Sequence, residues 1–307
     1  MNSNLSILVE PGEYDIYDCA YSSSIEQVIE FYEEAGIDYE HWSRGFNMHL
    51  GFYQRGMNPF DREAMLEQLN LEVAGRLHLN SGEPSFLIDL GCGVGATARS
   101  VARNNPNTIV KGITIAPSHV QIGAKLNADE YLQNRIEIIR GNYTGTPFED
   151  DAADGVWAVE SACYARGSAK EDLIIEMARV LKTGGRFVIA DCFVVRPEKK
   201  FNGFIEKCYL ATCKNWALSE MPTLDHFVST LKSRGFQDVV VEDISWRAAP
   251  SLAQAPVAVL TFLVKKMLAS EPLKQQSINN LKASLLALAL GSNRSKFNYC
   301  LVSGTRT

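Results

Sequence analysis

From residue 86 onward, short apolar runs alternate with longer stretches of helical period. The runs fall at 86–90, 108–115, 135–140, 155–159 and 186–193. They are nearly continuous in apolar residues, which suits strands buried on both faces of a parallel sheet. Helices are predicted between them. One over 96–104 is stopped by Asn104-Asn105-Pro106-Asn107, one over 117–132 is opened by Pro117-Ser118, and one over 170–181 is stopped by Lys182-Thr183-Gly184-Gly185. A helix from Pro222-Thr223 to Arg234-Gly235, a strand over 237–245 and a last strand over 297–303 complete the pattern. Strict alternation implies right-handed crossovers and an α/β, doubly wound sheet. Ligands of such sheets bind beyond the carboxyl ends of the strands, where strand order reverses.

Three regions lie outside this alternation. Residues 1–80 are rich in aromatics and read as a helical cap that lines a substrate site. The rest, 81–307, reads as the ligand-binding core. Residues about 194–221 interrupt the core as a second cap element, and about 251–296 as a helical insertion.

The densest chemical signal is Phe86-Leu87-Ile88-Asp89-Leu90-Gly91-Cys92-Gly93-Val94-Gly95. An apolar strand ends in one acid, and three alternate glycines let the backbone turn sharply and approach a ligand. A helix beginning near Ala96 points its N-terminal amides and positive dipole end at that ligand. This spacing resembles motif I of the class I S-adenosylmethionine-dependent methyltransferases. The segment Gly112-Ile113-Thr114-Ile115-Ala116-Pro117-Ser118-His119 carries no acid for ribose hydroxyls, which speaks against a nicotinamide dehydrogenase. It resembles the Gly-Ile-Thr segment of the sterol, tocopherol and isoprenoid C-methyltransferase group.

The resemblance implies a seven-stranded Rossmann-like sheet with an antiparallel last strand, and S-adenosylmethionine as cofactor. It sets Asp89, Gly91, Gly93 and Gly95 beneath the methionine portion. Thr114, Ile115 and His119 would lie at the ribose, and Asn142 and Tyr143 near the adenine. His119 replaces a frequent Gln, and Asn142 a frequent Asp; the Asn142 amide oxygen is expected to accept from the adenine amine. After the 155–159 strand, Glu160-Ser161-Ala162-Cys163-Tyr164 resembles the same segment in enzymes that methylate carbon–carbon double bonds, geranyl diphosphate C-methyltransferase among them. Glu160 is then the carboxylate that removes a proton from the cation formed by methyl transfer, and stabilises that charge.

His49-Leu50-Gly51-Phe52-Tyr53 is similar to the His-x-Gly-aromatic stretch that precedes the core in this group. His49 is the candidate base for an oxygen or nitrogen acceptor. Tyr53, Tyr209 and Trp216 are candidate aromatic faces for a cation. Arg44, Arg55 and Arg62 are candidates for a diphosphate, and Mg²⁺ is expected only with such a substrate. The implied reaction is methylation of a small lipophilic metabolite on carbon, an isoprenoid or prenyl diphosphate. The alternatives are O- or N-methylation of a small natural product, or a non-catalytic cofactor-binding module.

Bulk properties narrow the class further. The net charge of −6 and pI near 5.5 disfavour a nonspecific nucleic-acid partner. Seven scattered cysteines contain no Cys-x-x-Cys pair, so a metal site is not expected and reduced thiols in a cytoplasmic enzyme fit. The N-terminus carries no basic cluster of a signal peptide. The apolar stretches at 252–264 and 281–290 are shorter than the roughly 20 residues that span a bilayer. Self-association through the cap is left open.

Overall fold

The computed structural model describes residues 23–80, 82–197 and 201–307. Tyr14, Tyr17, Tyr21, Cys19 and the N-terminal reading lie outside the described residues.

The sheet strands are β1 (Ser85–Leu90), β2 (Thr108–Thr114), β3 (Ile136–Arg140), β4 (Ala153–Val159), β5 (Leu181–Val194), β6 (Phe236–Asp243) and β7 (Phe297–Arg306). Their order is β3-β2-β1-β4-β5-β7-β6, with β7 antiparallel to both neighbours. This is the seven-stranded Rossmann-like sheet with an antiparallel last strand that the resemblance implies. Strand order reverses between β1 and β4, so the loops after β1 and β4 face one crevice. Register keeps the carboxyl ends level: Asp89 pairs with Gly112 on one side and Trp157 on the other.

Apolar side chains cover both faces of the central strands. Ile88, Leu90, Val156 and Ile189 pack with Leu173 and Met177 of α6 (Glu171–Val180). Leu87, Trp157 and Val188 pack with Leu69 and Val73 of α3 (Arg62–Arg76) and Ala98 of α4 (Ala96–Asn104). Full burial of such side chains contributes about 1.5–3 kcal/mol each.

One sequence reading is corrected. Lys182-Thr183-Gly184-Gly185 does not close α6; Leu181 leaves the helix directly in extended conformation, and these residues belong to β5. Gly184 has φ 82°, and a Cβ on Gly185 would meet the Lys182 carbonyl at 2.8 Å. The glycine pair bends the strand rather than capping the helix.

The caps are helical. At the N-terminal side lie α1 (Ile25–Ala35) and the single turn α2 (Tyr39–Trp42), joined by a tight turn at Gly36–Asp38. Ser24 and Gln27 form a reciprocal capping box at the start of α1. α5 (Pro117–Asp129) and α8 (Leu224–Ser233) flank the sheet. After β5 comes α7 (Gly203–Asn215), and between β6 and β7 come α9 (Ser245–Leu252), α10 (Ala255–Leu268) and α11 (Gln275–Ser292). The late insertion thus begins at Ser245, earlier than the sequence suggests, because α9 follows β6 after one residue. The stretch Ser245–Leu268 runs for 24 residues and holds an 18-residue window of mean hydropathy 1.3, long and apolar enough to cross a membrane by length and composition. It is longer than the 252–264 run read from the sequence, and it is broken at Ala253–Gln254.

Candidate active site

Each glycine of the β1–α4 loop has positive φ: Gly91 86°, Gly93 53° and Gly95 80°. Gly91 N and Cys92 N both donate to the Ile113 carbonyl, at 3.0 and 2.9 Å, which pins the loop to β2. A Cβ on Gly91 would lie 2.4 Å from Ser161 Cβ, and one on Gly93 would meet only Met48 Sδ, at 3.2 Å. Ser161 Oγ donates to the Leu90 carbonyl at 2.6 Å and joins the β4 loop to β1. Arg99 is buried in α4 and donates to the Val94 carbonyl at 2.6 Å and to the Gly45 carbonyl at 3.0 Å. One guanidinium thereby fastens both the glycine loop and the N-terminal cap.

A cavity of about 330 Å³ lies over this loop. Asp89, Gly91, Gly93, Thr114, Ile115, His119, Asn142, Tyr143 and Glu160 all line it. Burial pushes the Asp89 carboxyl up to about 8. That carboxyl favours a cationic partner, because a positive group beside it restores the charged form. Thr114 Oγ1 lies 3.3 Å from His119 Nδ1, and His119 Nε2 is buried with no hydrogen-bond partner among the described residues. Burial lowers His119 to about 4, so it is a neutral ring against Tyr32. A buried acid, a glycine backbone that lines the cavity at Gly93 and a neutral polar pair after β2 fit the cationic amino-acid end and the ribose of S-adenosylmethionine.

Two cofactor expectations are corrected. Gly95 does not line the cavity; it is the N-cap of α4, and a Cβ there would meet Ile138 Cδ1 at 2.9 Å. Asn142 does line it, but its amide oxygen already accepts from Thr144 N (3.0 Å) and Thr144 Oγ1 (2.9 Å). It is a turn residue, and its free amide group is a donor rather than the acceptor expected for the adenine amine. Tyr143 is anchored by donating to the Ser161 carbonyl at 2.8 Å.

A second cavity, about 230 Å³, adjoins the first. Tyr32, Met48, His49, Glu160 and Tyr164 line both. The remaining wall of the second cavity is mainly apolar, with Tyr39, Trp42, Trp216, Phe262 and Phe297 among its residues. The aromatic wall is locked. Tyr32 Oη donates to Tyr164 Oη (3.0 Å), Tyr164 Oη to the Trp216 carbonyl (3.1 Å), and Trp216 Nε1 to Asn280 Oδ1 (2.9 Å).

Glu160 stands on the shared wall. Its φ of 48° is unusual for a residue with a side chain and costs on the order of 1–3 kcal/mol. The conformation is held because Glu160 N donates to the Ala190 carbonyl at 2.8 Å. Its Oε1 accepts from Leu50 N at 2.6 Å and from Tyr299 Oη at 2.7 Å. Burial raises the carboxyl to about 7, and these two donors oppose the rise. The group therefore exchanges a proton near neutrality. Asp191 lines the second cavity, but its two oxygens accept from Cys163 N, in the turn after β4, and from Cys192 N, its neighbour on β5.

Lys170 holds the far side of this loop. It is fully buried and donates to the Cys163, Ala165 and Glu220 carbonyls at 3.0, 2.8 and 2.8 Å. Lys170→Met leaves three buried carbonyls without that donor and is expected to lower stability by about 3 kcal/mol in urea unfolding.

The other substrate candidates divide. Trp216 lines the second cavity. Tyr209 does not; it is buried beneath the wall, stacked on Phe297, and its Oη accepts from Met221 N at 3.1 Å. Tyr53 lines neither cavity, its backbone amide being bound to the Arg247 carbonyl. Arg44 and Arg55 are exposed and line neither, and Arg62 stacks on the Trp42 ring at 4.5 Å. No Lys or Arg among the described residues lines the second cavity. The diphosphate expectation therefore has no cation to rest on. Among the described residues no group of three His, Cys, Asp or Glu could hold a metal ion. His49 lines both cavities, yet its Nδ1 lies 2.8 Å from the Leu50 carbonyl and its Nε2 3.1 Å from Asn47 Oδ1 and from Asn70 Oδ1. Both ring nitrogens are engaged within the protein, so the ring is a strut for the Leu50 amide. Tyr299 and the Leu50 amide are absent from the sequence reading.

Residues 88–189 match the family model described as a methyltransferase domain. Tocopherol O-methyltransferase of Arabidopsis thaliana is 27% identical over 84% of this chain and 75% of its own length. Curated relatives of this kind are matched over 40–75% of their length. Among solved structures, geranyl diphosphate C-methyltransferase from Streptomyces coelicolor superposes with a TM-score of 0.69 at 15% identity, covering 92% of this chain and 98% of that one. The cyclase SpnF, a (4+2)-cyclase, superposes with a TM-score of 0.68 at 20% identity over 93% and 97%. The fold thus also carries chemistry other than methyl transfer. Residues 88–189 are a methyltransferase domain, and together with the glycine loop and the curated relatives they support a class I S-adenosylmethionine-dependent methyltransferase.

Proposed function

We propose that this chain methylates a carbon–carbon double bond of a small uncharged lipophilic acceptor, isoprenoid in class, and that Glu160 takes the proton released. The carrying observation is the position of Glu160 on the wall common to both cavities. Bound S-adenosylmethionine supplies an electrophilic methyl. The acceptor's π pair would take up that methyl as a new C–C bond, the former C–S pair staying on sulfur. The positive charge left on the neighbouring carbon faces Tyr32, Tyr164 and Tyr299, whose rings and oxygens favour a cation. Glu160 carboxylate then takes a proton from the adjacent carbon and becomes the neutral acid, and the double bond re-forms. Tyr299 and the Leu50 amide hold the carboxylate in place for that transfer, and the apolar wall excludes water from the cation.

The same carboxyl, poised near neutrality, also suits removal of a proton from a phenol or an ammonium group. Mass fragmentation of the methylated product separates these readings. A panel of uncharged isoprenoid alkenes, phenols and amines is offered with labelled cofactor. Label on carbon supports the proposal, label on oxygen or nitrogen selects the second reading, and no label on any acceptor contradicts both.

The proton acceptor must be ionised to work. In the free enzyme, kcat/KM is expected to fall as pH drops through about 7, the value to which burial raises Glu160. Tyr299 stabilises the charged form by donating to it. Tyr299→Phe should therefore move this limb to higher pH, which a pH–rate profile reads directly.

A further inference from the structure

α10 has two unlike faces. Ala255, Ala258, Val259 and Phe262 line the second cavity. On the other side, Val257, Leu260, Met267 and Leu268 are 62–77% exposed, and Val264 continues the stripe. Trp246 on the adjoining α9 is 75% exposed. Charge in this insertion runs against the rest of the molecule. Between Ser245 and Lys296 the only acid is Glu271, against five lysines and two arginines, in a chain of net charge −6. In the last turn of α10, Lys265 is exposed beside the stripe, whereas Lys266 lies over the Phe262 ring at 5.6 Å and pairs with Glu271 at 2.7 Å.

We propose that the exposed face of α9 and α10 docks on an anionic lipid surface, from which the lipophilic acceptor enters the second cavity. An apolar stripe with an exposed lysine at its flank and a tryptophan at one end is the pattern of a helix lying in the headgroup region. The local positive charge complements anionic headgroups. Although Ser245–Leu268 is long enough to cross a bilayer, it lies on the surface rather than spanning it. Ala248, Ser251, Ala255 and Phe262 are buried against the protein, so one face of the helices is already taken. The cavity wall is thus one helix thick between its interior and the proposed lipid surface. Docking stands independently of which acceptor atom is methylated, since vesicle binding is read without turnover.

The test is flotation of the full chain with vesicles of phosphatidylcholine, with and without phosphatidylglycerol. Binding is expected to the mixed vesicles and at least about tenfold weaker to the neutral ones. The triple variant Leu260→Asp, Met267→Asp and Leu268→Asp should lose binding at least about tenfold while retaining affinity for S-adenosylhomocysteine, which confirms an intact core. Lys265→Glu with Lys274→Glu provides a second variant with the same expected direction. Equal binding by both variants, or none by the unaltered chain, overturns the proposal. So does a dimer in light scattering that the triple variant converts to monomer, because a second copy then covers the face.

Discussion

Glu160→Gln is expected to lower turnover at least ~100-fold, the low end of what losing a proton acceptor costs. Glutamine retains an oxygen that accepts from Leu50 N and Tyr299 Oη, so the local geometry survives the change. It has no basic oxygen for the acceptor's proton. Affinity for S-adenosylhomocysteine should stay near that of the unaltered enzyme, because the carboxyl touches the cofactor cavity only at its edge with the second one. A variant that binds cofactor and turns over normally would remove Glu160 from the chemistry and leave proximity as its contribution.

The second large effect is expected at Gly91. Gly91→Ala forces a Cβ to within 2.4 Å of Ser161 Cβ, at a φ of 86° that side chains rarely adopt. Neither neighbour can yield cheaply, since Ser161 Oγ is bound to the Leu90 carbonyl and the Gly91 amide to the Ile113 carbonyl. The strain alone is on the order of 1–3 kcal/mol. Calorimetry should show cofactor affinity lowered at least about tenfold, and thermal unfolding a lower midpoint. Ser161→Ala, which removes only a hydroxyl, should be much milder; equal losses would mean that the hydrogen bond rather than the backbone path matters.

The glycine loop was legible in the sequence because its information is local. An acid and three glycines at fixed spacing need only their own backbone to turn under a ligand. Glu160 was legible for a related reason: the carboxyl end of a central strand reaches the crevice whatever surrounds it. Tyr299 was not. It lies 139 residues from Glu160, and only the antiparallel return of β7 brings its hydroxyl to the carboxylate. Arg44 and Arg55 show the opposite failure. A basic residue in a motif says nothing about its direction, and both face solvent. Asn142 was read as an adenine acceptor because its type allows it, but Thr144 two residues on takes its amide oxygen. His49 was read by chemistry where packing decides: desolvation lowers its basicity, and three side-chain and backbone oxygens surround the ring. The make-up of the second cavity's wall was not legible either, because its residues come from the N-terminal cap, α7 and the late insertion at once.

The most direct test of the account is a crystal structure with S-adenosylhomocysteine bound. The account predicts the thioether sulfur beside Gly93 and Met48, within about 6 Å of the Glu160 carboxyl, the range over which a charge is felt strongly. It also predicts that the Tyr299 hydroxyl still donates to that carboxyl. Sulfur directed away from the wall shared by the two cavities, or Glu160 swung out of it with the cofactor in place, would contradict the account.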